Sequence, residues 1–445
     1  MEFQEFKNAV IARCMQLGIT DYELYYQTAE STSVSVYQQE VNQFSASLEG
    51  GVCFRCIREG KMGYASTECL SRETALAVVD RALDNASVLE TEDPVFLCDG
   101  GKTYAPLPEQ TLSLPATDAL VAKALETQKQ LYAADPAVID GSTTQAVAEI
   151  SEVAICNSRG LDLRERTCLV GLVAGAVVSD GGEMANDYQI ALGDLKKLDS
   201  EALTKKAVDT ALTKLGGEPA PTGKYPVVFD PEAMCDLLST FSSVFSAENA
   251  RKGLSKLSGQ EGEPIAAPVV TLVDDPAYPG SFLQRSFDAE GCPAYRKDII
   301  RAGRLETLLY DMKNAALSGR ETTGNAAKAN YDSPVGIRPF TLYLQKGDAS
   351  RQALLEQAGD GVYIDSLGGL HAGANPVSGD FSLQSAGFLI REGQLRDRVK
   401  SFTVAGNFYD LLKNIRAVGD TLEFPGMGTV GSPAVLVDRL SIAGK

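Results

Sequence analysis

The chain has 445 residues, 44% of them hydrophobic and 22% charged, and 59 acidic against 41 basic residues give it a formal charge of −18. A chain so acidic repels the phosphate backbone unless its basic residues cluster. Its densest patches, Lys196-Lys197 and Lys205-Lys206, lie among acids, so direct nucleic-acid binding is not expected. The longest apolar runs, such as Leu169–Val178, fall far short of the roughly 20 residues a membrane span needs. The opening MEFQEFKNAVIARCMQLG is amphipathic and lacks the basic segment and apolar core of a signal peptide, so a cytoplasmic protein is expected.

In chain order, a helix is predicted over Phe3–Leu17, closed by Gly18 at the C′ position. Glu23–Thr28, Thr32–Gln39, Gln43–Leu48 and Val52–Arg58 alternate with a period of two and predict an antiparallel meander. Ser71 caps a second helix, ETALAVVDRALDNA, whose Ala75, Val78, Val79, Ala82 and Leu83 form one apolar stripe. A Pro-rich loop, Tyr104–Pro115, leads to a helix over Asp118–Ala134. Strands over Ala146–Asn157 and Leu161–Val178 follow, joined at Ser158-Arg159-Gly160, then a helix over Glu201–Leu215. Glu218–Pro226, with three prolines and a glycine, is the linker candidate. Beyond it a strand, Val227–Phe229, runs into a helix opened by Pro231-Glu232, both favourable there. Short strands and glycine turns then dominate, with short helices near Asp311–Ser318, Arg351–Gln357 and Phe408–Ile415. The fold class is α+β in two domains. Residues 1–220 form an N-terminal α+β domain with an antiparallel sheet, and residues 221–445 a mainly antiparallel β domain.

His371 is the only histidine, which excludes every site with two imidazole ligands. A Ser–His–acid triad would have to use it, in GGLHAGANPVSGDFS, with no GxSxG elbow anywhere. It reads as a loop or strand histidine hydrogen-bonded to backbone, and Gly368-Gly369 and Gly373 around it predict close backbone approach, for peptide docking. Gly426–Gly431 spells GxGxxG, but only a short strand follows, and the fingerprint needs a helix N-terminus for the pyrophosphate. The acid pairs Asp274-Asp275 and Asp360 with Asp365 read as solvated surface. Cys53 and Cys56 lie three apart on a strand, hence on opposite faces, and read as buried thiols rather than half a zinc site.

Three stretches carry a family resemblance. VSVYQQEVNQFSASLEGGVCFRCIREGKMGYASTECLSRETALAVVDRAL resembles the N-terminal domain of the TldD/PmbA metallopeptidase family, and CNSRGLDLRERTCLVGLVAGAV its next pair of strands. DGVYIDSLGGLHAGANPVSGDFSLQSAGFLIREGQL, FTVAGNFYDLLKNIRAVGDTL and SPAVLVDRLSIAG resemble its C-terminal part, in the right order. TldD-type chains of that family carry a His-Glu-x-x-x-His helix, two histidines binding the metal and the Glu serving as base. Placed by its flank NARKG, that motif would fall on Leu238–Ser243, give or take one position, and no residue of it survives in any register. Where TldD-type chains carry Cys-Gly near the end, FPGMGTVGSP has no cysteine.

The resemblance therefore implies a PmbA/TldE-type chain with no catalytic residue, metal or cofactor of its own, zinc being expected in the partner subunit. It implies a TldD-type metallopeptidase subunit as partner in a heterodimer, or a homodimer of the isolated chain. The complex would act on unfolded, extended peptides, in proteolysis or peptide maturation, and this chain would be inactive alone. Ser239, Ser243, His371 and Asn375 are the candidate substrate-binding residues, and the β-rich second domain suits peptide capture by strand addition. The alternatives are a non-enzymatic peptide-binding or regulatory protein, in line with the family's older association with DNA gyrase modulation, and an autonomous hydrolase using the serine-rich helix or His371.

Overall fold

In the computed structural model, which describes residues 1–108 and 113–445, the helices begin and end where local chemistry favours it. Helix α1 (Phe3–Gln16) ends just before Gly18, whose φ is +66°. Three strands follow, β1 (Tyr22–Tyr37), β2 (Glu40–Arg58) and β3 (Lys61–Thr67). Helix α2 (Arg72–Val88) opens on a reciprocal cap, Thr74 N donating to Ser71 Oγ at 3.1 Å and Ser71 N to Thr74 Oγ1 at 3.0 Å. Then come α3 (Thr117–Ala134), β4 (Thr143–Asn157), β5 (Asp162–Asp180), β6 (Glu183–Leu192) and α4 (Ser200–Thr213). The predicted loop Tyr104–Pro115 falls partly on residues 109–112, outside the described residues.

The predicted meander of four short strands is in fact one long hairpin. β1 and β2 stay paired from Tyr22 with Cys56 to Tyr37 with Glu40, straight through Glu30 and Gly50, and turn at Gln38-Gln39. Backbone ladders continue where the side-chain alternation fades, so the polar stretch in the middle does not end the strand. The six strands form one antiparallel sheet in the order β3-β2-β1-β4-β5-β6. Its period of two sorts the side chains. Leu24, Phe54 and Cys56 at one end, and Val34, Val36, Ala146 and Leu172 at the other, pack beneath the four helices. Tyr25, Cys53 and Ile155 point the other way, onto Phe287 and Cys292 of the C-terminal half. Cys53 and Cys56 thus sit on opposite faces, as their spacing requires.

The second half begins with β7 (Gly223–Phe229) and α5 (Pro231–Phe241), a 3₁₀ turn at Ser242–Phe245, and α6 (Ala247–Arg251). Next come β8 (Leu272–Asp274), β9 (Lys297–Arg301), β10 (Arg304–Leu305), α7 (Met312–Leu317), β11 (Ala326–Ala327), β12 (Gly336–Ile337) and β13 (Leu342–Leu344). They are followed by α8 (Arg351–Ala358), β14 (Gly361–Gly368), α9 (Leu370–Gly373), β15 (Asp380–Arg391) and β16 (Gln394–Asn407). The chain ends through α10 (Phe408–Lys413), β17 (Ile415–Val418), β18 (Val430–Gly431) and β19 (Val435–Ala443).

One sheet runs β16-β15-β14-β7-β19-β17, and β16 also pairs with β19, so five strands close into a ring. Pairing in it is antiparallel except between β7 and β14. A second sheet runs β10-β9-β8-β13-β18. The largest core of the molecule lies here, with Val227, Phe229, Leu237, Phe241, Ile299, Val362, Phe402, Phe408 and Val435 in one cluster.

The linker candidate is less loose than its prolines predict. Lys400 N donates to Glu218 O, Thr222 N donates to Lys445 O, and Ala220 is fully buried, so Glu218–Pro226 is already part of the second half's framework. The solvated-surface expectation for the acid pairs fails at two positions: Asp274 is fully buried, and Asp365 is tied to Arg398. No helix follows Gly426–Gly431, only the strand β19. Among the described residues no helix is long and apolar enough to cross a membrane.

Candidate functional site

Helix α5 is set by its start and split by its two faces. Asp230 caps it, its carboxylate accepting from Glu232 N at 3.1 Å, and Pro231 occupies the first turn, where it needs no donor. Met234, Leu237, Leu238 and Phe241 face the core. Asp236, Ser239, Thr240 and Ser243 recur at three- and four-residue intervals and fall on the outward side. Immediately after Phe241 the helix tightens into the 3₁₀ turn, and Ser246 restarts it as α6 by accepting from Asn249 N. The far end of the chain returns to this helix, Cys235 Sγ donating to Val430 O at 3.5 Å.

A short helix, α9, packs on α5 from 130 residues further on. Gly369 enters it at φ +74°, a left-handed turn natural only to glycine. Gly373 lies so close to β15 that a Cβ there would stand 2.3 Å from Ser382 O, which bears out the close approach read from the glycines. His371, two residues before Gly373 and so about 200° round the helix, is turned outward. It is exposed and makes no hydrogen bond among the described residues. The backbone anchor expected for it is therefore absent, because the glycine that touches the sheet holds α9 with the histidine on its free side.

Between α5 and α9 lies a cavity of about 430 Å³, lined by Asp236, Ser239, Thr240, Leu370, His371, Ala374 and Pro376. Two of the four predicted residues, Ser239 and His371, meet there. Asn375 does not line it: its carboxamide oxygen accepts from Val377 N at 3.0 Å and Ser378 N at 3.3 Å and holds the turn beneath the cavity wall. Ser243 is exposed on the 3₁₀ turn, its carbonyl oxygen taken by Asn249 Nδ2 at 2.9 Å, and it also lies outside the lining. Asp236 is the residue sequence reasoning missed. Burial pushes its carboxyl up to about 6, and no hydrogen bond reaches it among the described residues. Its spacing of three and four residues from Ser239 and Thr240 was the available signal. Among the described residues no group of three or more His, Cys, Asp or Glu side chains is placed to hold a metal ion.

Family models match in three consecutive pieces: residues 22–86 match domain 1 of the PmbA/TldA metallopeptidases, 111–215 their central domain, and 222–444 their C-terminal domain. The chain belongs to the PmbA/TldD metallopeptidase family. A protein of Methanothermobacter thermautotrophicus named as a metalloprotease is 29% identical over 418 residues, covering 91% of this chain and 88% of its own. Among solved structures, TldE from Thermococcus kodakarensis is 25% identical over 98% of this chain and 99% of its own, with a TM-score of 0.87. A Thermotoga maritima protein named as a proposed modulator of a DNA gyrase is 29% identical over 99% of this chain and all of its own, with a TM-score of 0.89. In the PmbA/TldD architecture of this chain, domain 1 and the central domain share a single sheet, and the α5–α9 cavity belongs wholly to the C-terminal domain.

An unpaired, half-buried carboxylate is a stability cost that a site with a use for the charge can retain. The folded carboxyl is raised to about 6, while an unfolded aspartate titrates near 4. The folded state therefore binds the extra proton, and stability falls as pH rises through this window. Asp236→Asn removes that loss. Urea unfolding should show the variant more stable by about 1–2 kcal/mol at pH 7.5, after allowance for partial solvent access, and nearly equal to the parent at pH 4. A difference independent of pH would contradict the burial described here.

Proposed function

We propose that this chain is the subunit without metal in a two-chain cytoplasmic peptidase: a PmbA/TldE-type chain that forms one wall of a peptide-binding space, the zinc residing in a TldD-type partner. The observation that carries this reading is α5. The helix keeps its core face, its caps and its cavity, while its outward positions carry Asp236, Ser239, Thr240 and Ser243. One carboxylate and one imidazole fall short of the three protein ligands of a catalytic zinc, and hydroxyls do not replace them. The same groups suit hydrogen bonding to the backbone of an unfolded peptide, with Ser239 and His371 facing the cavity and Asp236 within it.

A partner is also supported by β2. Its residues 40–51 pair with β1 on one side only, because β3 begins to pair at Val52. On this open edge Val41 is 43% exposed, Phe44 50% and Leu48 75%. A long unpaired edge with apolar side chains is normally covered by another element or another chain. A TldD-type subunit covers it in the heterodimer, and a second copy in a homodimer.

The test is to incubate an internally quenched, unstructured peptide with this chain, with a TldD-type subunit, and with both. Cleavage is expected in the mixture alone. Cleavage by this chain in the presence of chelator, or partner activity that does not change on adding it, would refute the reading.

A further inference from the structure

A second cavity, of about 480 Å³, lies at the seam between the first sheet and the C-terminal half. Its size falls within the roughly 300–1,000 Å³ of small-molecule and peptide-side-chain pockets. Its apolar lining comes from both halves, with Met62 of β3, Val95 and Phe96 beyond α2, and Pro334 and Val335 before β12. Four carboxylates also line it, Asp93, Glu290, Asp311 and Asp332, and of these Glu290 and Asp311 are each only 6% exposed.

Each of these two buried carboxylates spends one oxygen on the fold. Glu290 Oε2 accepts from Met312 N at 2.8 Å. Asp311 Oδ1 accepts from Asn314 N at 2.7 Å and from Asn314 Nδ2 at 2.9 Å, capping α7. Among the described residues no hydrogen bond or ion pair reaches the other oxygen of either. Two cations also line the cavity, each held by an acid: Arg55, whose Nε donates to Glu23 Oε1 at 2.7 Å, and Lys313, which pairs with Asp93. Asp332, also in the lining, adds a further negative charge. The cavity thus presents carboxylate oxygens that no donor among the described residues reaches, in a lining where four acids outnumber two cations.

We propose that this cavity binds an organic cation, an ammonium or guanidinium group on an apolar stem, as carried by a lysine or arginine side chain of an extended peptide or by a free alkylamine. The head group would donate to the unpaired oxygens of Glu290 and Asp311 in charge-assisted hydrogen bonds, and the stem would lie along Met62, Val95 and Phe96. A hard divalent ion fits less well, since it takes six or more oxygen ligands, several of them waters, and the walls here are apolar. Burial, and after it the charge of Asp288, hold the Glu290 carboxyl well above the usual range. A bound cation favours its ionised form, so binding releases protons and tightens as pH rises towards the alkaline side.

The experiment is isothermal titration calorimetry of the full chain alone, so its outcome is separate from that of the partner-subunit assay. The ligands are a capped, unstructured peptide containing one lysine, the same peptide with norleucine in that place, and pentylamine. The protein variant is Glu290→Gln/Asp311→Asn. Both substitutions keep an acceptor for Met312 N and Asn314 N, so the fold is retained, with an unchanged melting temperature as the check. The lysine peptide is expected to bind at least about tenfold more tightly than the norleucine peptide, and the double variant to lose at least about tenfold. Pentylamine binding as tightly as the peptide assigns the site to free amines, and weaker pentylamine binding assigns it to peptides; either supports a cation site. Three results would overturn the proposal: no binding of any amine at 10 mM, equal affinity for lysine and norleucine, or a double variant that binds like the parent.

Discussion

Replacing Phe241 by alanine is expected to destabilise the protein by about 3–5 kcal/mol. Its ring is fully buried, stacked on Phe408 with centroids 4.5 Å apart and edge-on to Phe381 at 6.2 Å. Truncation forfeits the transfer of a large aromatic side chain and leaves a void between three elements, α5, β15 and α10, that are each fixed by their own ladders and cannot all collapse into it. Phe241→Leu, which keeps most of the volume, should cost only about 1–2 kcal/mol. Because Phe241 is the last residue of α5, the alanine variant should also loosen the 3₁₀ turn that follows and the wall of the cavity at Ser239 and Thr240. Urea denaturation of the two variants checks the ranking, and equal losses would show that the void closes.

Lys297→Met is expected to cost a similar amount, about 3–5 kcal/mol, for a different reason. Lys297 Nζ lies 3.1 Å from Asp274 Oδ2 and 3.0 Å from Asn325 Oδ1, and both ion-pair partners are almost wholly removed from water. Asp274 also accepts from Phe340 N at 2.8 Å, Thr341 N at 3.1 Å and Asn325 Nδ2 at 2.7 Å, so its carboxylate ties β8 to the approaches to β13 and β11. Methionine matches the lysine stem in volume but leaves that negative charge without its cation. The double variant Lys297→Met/Asp274→Asn removes the uncompensated charge and should recover part of the loss, a non-additivity typical of a buried pair. If the single variant loses less than about 1 kcal/mol, the network is wetter than its burial indicates.

The helices were legible where their ends are chemical. Ser71, Pro231 and Gly18 are read from the sequence alone and stand at the predicted turns. The strands were legible only where one face is apolar. The middle of the β1–β2 hairpin is polar on both sides, so the alternation lapses there although the ladder does not. Strand β6 was missed for another reason: EMANDYQIAL alternates only loosely, at Met184, Tyr188, Ile190 and Leu192, and lies on an edge with that face largely exposed. At the site, the glycines around His371 foretold the contact with β15, whereas the outward pose of the histidine follows from which glycine touches the sheet. Asp236 was hidden by composition, being one acid among 59. Its partial burial is created by α9, which arrives from far along the chain. Glu290 and Asp311 were hidden in the same way, since their seclusion depends on the N-terminal sheet closing over them.

The closed ring of strands in the C-terminal half has a consequence for how this molecule can grow. β16 pairs with β15 on one side, but with β19 on the other only at Thr403–Ala405, so closure is confined to that end of the strand. The outer strands β10, β17 and β18 are short, two to four residues each. Beside α5 it is side chains, those of Asp236, Ser239, Thr240 and His371, that line the cavity. The other half has the opposite character, with the twelve-residue free margin of β2 open to pairing. The open margin thus lies at the hairpin end of the molecule, and the α5–α9 cavity in the other half.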